Sequence, residues 1–94
     1  MFSETYYLIR SRTDGKYLAA RPHEDNSSSY LLLFKEQYDA LSYLNTHAGE
    51  YASRLSVEFI PGNQISSLLK RWSFIGVGVV SDPLIPNIEF LQHN

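Results

Sequence analysis

The sequence predicts an α+β domain: a two-layer sandwich in which two helices cover one face of a mostly antiparallel or mixed sheet. Three stretches predict it. Tyr30 to Phe34, YLLLF, is an unbroken apolar run, as suits a strand buried on both faces. The ten residues that follow carry Tyr38, Leu41 and Leu44 on one helical stripe. Asp14-Gly15 lies between two strand-like runs, the signature of a hairpin turn. A strand feeding a helix that must fold back over it is the expected centre of the structure.

The chain has 94 residues and is 44% hydrophobic, which is one globular domain, 1–94. A chain of this size buries roughly 60–65% of its unfolded surface, so the core is thin. Seven tyrosines, five phenylalanines and one tryptophan offset that, since each aromatic carries a large apolar area. Tyrosines with a wet hydroxyl suit a rim or an interface.

From the front, Thr5 to Arg21 is predicted as a β-hairpin. A two-residue type I′ turn at Asp14-Gly15 would set Thr13 opposite Lys16 and Arg12 opposite Tyr17. Alternation then gathers Tyr6, Leu8, Arg10 and Arg12 with Tyr17, Ala19 and Arg21 on one face. The other face takes Tyr7, Ile9 and Ser11 with Leu18 and Ala20. The second set is smaller and more apolar, so it is expected on the core and the first set towards solvent. Pro22 to Ser29, PHEDNSSS, is a polar loop.

The first helix is expected over Glu36–His47, with Gly49 as its C-terminal stop. Leu55 to Ile60 alternates as a strand, with Leu55, Val57 and Phe59 on one side. Pro61-Gly62-Asn63 breaks it, Asn63 being placed to cap a second helix. That helix shows Ile65, Leu68, Leu69 and Trp72 at i, i+3, i+4 and i+7, with Lys70 and Arg71 in its last turn. Phe74 to Val80, FIGVGVV, reads as a central strand ended by Asp82-Pro83. After a turn at Pro86, Asn87 to Gln92 reads as a final edge strand antiparallel to it. The element order is β-β-β-α-β-α-β-β.

Composition narrows the function classes. The net charge of −2 gives no global basic field for nucleic acid or anionic lipid. Without cysteine there is no disulfide, no thiolate zinc site and no thiol nucleophile. The opening MFSETYYLIRSR lacks a signal peptide's long apolar core, and no apolar run reaches the roughly 20 residues that span a bilayer. A cytoplasmic domain without membrane contact is the expectation.

No motif points to catalysis. Gly76-Val77-Gly78 lacks the third glycine and the following helix of a dinucleotide loop, so its glycines are expected to admit a helix or ring onto the strand. His23, His47 and His93 have no partner at metal-ligand spacing. Glu24-Asp25 is a loop pair, and Glu36 and Asp39 fall in a first helical turn, where acids suit the dipole. No G-x-S-x-G elbow occurs. No catalytic residue, metal ligand or cofactor site is assigned.

Tyr6, Arg10, Arg12, Tyr17 and Arg21 are the candidate interaction surface. Tyrosine and arginine are enriched at interface hot spots, and small domains gain by pairing, commonly as a two-fold homodimer. Contact with a protein partner is therefore the leading expectation. Rings between basic groups also suit nucleic acid, with bases stacked and phosphates held. That reading ranks second, because nothing elsewhere in the sequence adds to the basic patch; an enzyme ranks third.

LLLFKEQYDALSYLN, then LSVEFIP, a short helix and IGVGVVSDP together resemble the N-terminal domain of SseB-like (enhanced serine sensitivity) proteins and small bacterial families of unknown function. The resemblance spans residues 30–86 and lies in the pattern of elements. It implies an α+β fold and bacterial company, with no residue role to carry over.

Overall fold

A computed structural model of the chain describes residues 4–21, 28–85 and 87–92. Residues 22–27 of the expected loop Pro22 to Ser29, with His23 and Glu24-Asp25 among them, the turn at Pro86 and His93 lie outside the described residues. Six strands and two α-helices follow the expected order: β1 Thr5–Ser11, β2 Ala19–Ala20, β3 Tyr30–Phe34, α1 Gln37–His47, β4 Leu55–Pro61, α2 Ile65–Trp72, β5 Gly76–Asp82 and β6 Asn87–Gln92. Two short 3-10 turns, Gly49–Arg54 and Gly62–Gln64, lead into β4 and α2. The fold is α+β around a mixed sheet.

The strands lie in the order β4-β1-β3-β5-β6. β2 is wedged in beside β1. It pairs with the start of β3 (Ala19 with Leu31, Ala20 with Tyr30), whereas the end of β3 meets β1 directly, Tyr7 with Phe34. β3 occupies the middle of the sheet, and its Leu31 to Phe34 are all buried, as an unbroken apolar run requires. β5 runs parallel to β3, and β6 runs antiparallel to β5 at one edge.

The helices do not share a face. One core cluster joins Leu8, Leu31, Leu33, Ile60, Val77 and Val79 to Ile65 and Leu69 of α2. The other joins Ile9, Leu32, Phe34 and Val80 to Ala40 and Leu44 of α1. Within each strand the clusters alternate residue by residue, so the sheet is the middle of three layers. Topology supplies the reason. β3 and β4 are both antiparallel to β1, hence parallel to each other and to β5. The crossover β3-α1-β4 steps one way across the sheet and β4-α2-β5 steps back. Parallel crossovers are right-handed almost without exception, so opposite steps place their helices on opposite faces.

This corrects the hairpin's solvent face as well. Leu8 is 2% exposed, and Tyr6 and Tyr17 pack against the cluster under α2. Both faces of the hairpin meet a core. Its register also differs: Arg10 pairs with Tyr17, and Ser11 N–H donates to Lys16 O at 2.8 Å. The loop is therefore four residues, Arg12 to Gly15, instead of two. The shift is an even number of residues, so every side chain keeps the face that alternation assigned.

Two helix details differ from expectation. α1 buries Ala40 and Leu44, with Tyr43 alongside, while Tyr38 is 66% exposed and Leu41 46%. The smallest apolar residue, Ala40, allows close approach to the sheet, and a stripe drawn through the larger residues misses it. α2 has Gln64, not Asn63, at its N-cap, because the 3-10 turn takes up Asn63. Gly49 follows α1 with φ +56°, the left-handed stop expected of it.

Of the two glycines of β5, Gly78 admits an aromatic ring as expected, whereas Gly76 admits the backbone of β6 and neither meets a helix. A Cβ at Gly78 would meet Ile88, Leu32 and the Phe90 ring at 3.0–3.1 Å, and one at Gly76 would strike the Leu91 carbonyl. No helix of the described residues is long and apolar enough to cross a membrane.

Candidate binding surface

The hairpin loop is tied down by local polar contacts. Gly15 takes φ +73°, which side chains rarely adopt, and its N–H donates to Ser11 O. Lys16 N–H donates to Asp14 Oδ1 at 3.0 Å. That bond, with help from Ser11, holds the Asp14 carboxyl below its ordinary pKa. Arg10 reaches back along the loop, Nε donating to Gly15 O at 3.0 Å. Its guanidinium lies 5.0 Å from the centre of the Tyr17 ring, and 3.7 Å from Glu58 Oε1 on β4. A half-exposed ion pair of that length adds little stability, but it takes up the Arg10 charge and aims the side chain.

α2 brings the second half of the surface. Its apolar stripe is as the sequence predicts, with Ile65 and Leu69 buried and Leu68 packed beside them. At its last position, Trp72 stands edge-on to Tyr17, with ring centres 5.2 Å apart and planes at 86°. Such pairs contribute about 0.5–1.5 kcal/mol beyond their buried area. Ser73 then turns left-handed at φ 60°, and Phe74 N–H donates back to Leu69 O at 2.9 Å. The reversal carries Phe74 into the same hollow as Trp72.

Two open hollows flank the Tyr17–Trp72 pair. One, of about 350 Å³, is walled by Leu8, Glu58, Gln64, Ser67 and Arg71. The other, of about 510 Å³, is walled by Lys16, Arg21, Ser29 and Phe74. Tyr17 and Trp72 line both. Trp72 remains 37% exposed between them.

Of the five residues expected to act together, Arg10, Tyr17 and Arg21 meet here. Tyr6 packs against the core under α2. Arg12 lies in the exposed loop, where its N–H donates to Arg54 O. Sequence reasoning missed Lys16, Arg71, Trp72 and Phe74 as members. The signal for Arg71 and Trp72 was present in the run Lys70-Arg71-Trp72, but only the placement of α2 over the hairpin face joins it to Tyr17. The objection that nothing adds to the basic patch therefore falls. Six of the eight lysines and arginines lie in Thr5–Arg21 or α2, Lys35 and Arg54 being the other two, and Asp14 is the only acid in those segments.

Among the described residues no three histidines or carboxylates gather as a metal-binding group. His47 lies far from this surface, with Nε2 2.9 Å from Pro83 O. A carbonyl only accepts, so Nε2 carries the proton and pins the β5–β6 turn to α1.

No family model, no curated protein and no solved structure matches the chain.

Proposed function

We propose that this domain is a binding module and not a catalyst, acting through contacts with another macromolecule at the surface around Tyr17 and Trp72. One observation carries the reading: six of eight basic residues lie on the two segments that supply the half-buried Tyr17 and the exposed Trp72 standing against it. A core alone would not ask for that charge, and a partner with negative groups would. A cytoplasmic setting, which the cysteine-free composition accommodates, goes with this proposal. The test is a titration of the ¹⁵N-labelled chain with heparin as a generic polyanion. Amide shifts should concentrate in residues 10–21 and 64–74. Shifts centred on α1, or none at all, would reject the surface.

A second reading, pairing with another copy through β6, is favoured by a separate observation. Phe90 and Leu91 are partly exposed on that strand, and Leu84 and Ile85 are exposed in the turn that leads towards it. An edge strand offers unpaired backbone groups for strand addition. Sedimentation or light scattering that returns the mass of one chain at every concentration rejects it.

A further inference from the structure

Resting on that reading of the surface, we infer that its partner is a single-stranded nucleic acid. A base stacks against the exposed part of Trp72, which Tyr17 holds in place, and the phosphates lie along Lys16, Arg21 and Arg71.

The geometry distinguishes this ligand from other polyanions. An acidic peptide would engage the cations and leave the aromatic pair without a role. A duplex would do the same, since its bases are already stacked and show only their edges in the grooves. A single strand presents both groups in alternation, a flat π-face and then a charge, and the surface alternates likewise. Arg21 and Lys16 lie on one side of the Tyr17–Trp72 pair and Arg71 on the other, each set beside its own hollow. The hollows fall in the range of about 300–1,000 Å³ typical of sites for small organic groups. Both are open, and both have the aromatic pair as a common wall, so that a strand crossing Trp72 reaches either side.

The charge arithmetic sets the salt dependence. Arg10 faces Glu58 and counts as spent. Lys16, Arg21 and Arg71 remain, with Lys70 exposed on the same helix end. Three or four neutralised phosphates give a slope of log K against log salt of about −2 to −3 for a single strand. Raising salt from about 50 to 200 mM should then weaken binding about 20- to 50-fold.

Trp72 is the only tryptophan, so its fluorescence reports on the site directly. The full chain is titrated with oligothymidylate of about twelve nucleotides, a length in the range that sequence-independent single-strand binders of other folds occupy. Trp72 emission should be quenched as the strand binds, and the fluorescence anisotropy of a dye-labelled oligonucleotide should give the same affinity. Trp72→Ala should weaken binding about 5- to 150-fold, the range for losing one stacked base. Trp72→Phe, which keeps an aromatic face if the alanine variant unfolds, should retain most of it. Arg21→Gln with Arg71→Gln should lower the salt slope by about 1.4. A duplex that binds equally well, or an oligonucleotide that binds without quenching or sensitivity to Trp72, overturns the inference. Binding of polyglutamate or heparin but not of oligonucleotide overturns the ligand class and leaves the surface standing. No binding of any of the three overturns both.

Discussion

The two faces of this sheet are closed by helices of different kinds, and the difference separates packing from recognition. α1 has eleven residues and reaches about 16 Å. It buries Ala40 and Leu44 against Phe34 and Ile9, and has only His47 as a basic group in its last turn. α2 has eight residues and reaches about 12 Å. So short a helix leaves the hairpin end of its face to be finished by Trp72, which does so by standing against Tyr17 instead of sealing it. The α1 face has hollows as well, one walled by Ile9, Tyr43, His47 and Tyr51 and one by Tyr7, Gln37 and Phe59, but no lysine or arginine lines either. The α2 face has the Tyr17–Trp72 pair, two hollows and most of the basic groups.

The largest test compares the two cores. Phe34→Ala removes a fully buried ring on the α1 side and should cost about 3–5 kcal/mol in denaturant unfolding. Leu33→Ala, fully buried one residue earlier on the α2 side, should cost about 2–5 kcal/mol. If either loses less than about 1 kcal/mol, that side is not closed as described and the contrast between the faces fails.

A smaller effect separates the outer surfaces of the helices. Tyr38→Ser on α1 should shift stability by no more than about 0.5 kcal/mol, because the side chain is mostly in water. Trp72→Ala on α2 should cost about 1–3 kcal/mol through loss of the Tyr17 contact and the area around it. Equal costs, read as thermal midpoints of the purified variants, would mean that Tyr38 is packed after all.

The smallest effect lies in the hairpin loop. Asp14 titrates lower in the folded protein than when unfolded, where its pKa is about 3.9. Its contribution to the loop is therefore present above that value and is lost as pH falls through the lower folded pKa. In an NMR titration the Lys16 amide should move with a midpoint below that of free aspartate, and Asp14→Asn should abolish the step. A midpoint at or above the free value would remove the bond that fixes the loop.

Much of the fold was legible because it rests on local periodicity. YLLLF could only be a strand buried on both sides, and Ile65, Leu68, Leu69 and Trp72 could only be one helical stripe. Even the wrong turn length left the faces of the hairpin intact, since a shift of two residues preserves alternation. The candidate site was half legible. Arg10, Tyr17 and Arg21 were grouped by strand parity, whereas Trp72 and Arg71 come from a helix more than fifty residues away in sequence.

What the sequence determined by itself is the identity and order of the elements and the face on which each side chain of the hairpin lies. Those follow from rotations and pleats that each residue imposes on its neighbours. Tertiary structure alone decided that α1 and α2 take opposite sides and that the supposed outer face of the hairpin lies under α2. Both depend on the direction in which each crossover steps across the sheet, and that direction is set by which strands pair, not by any residue's local preference.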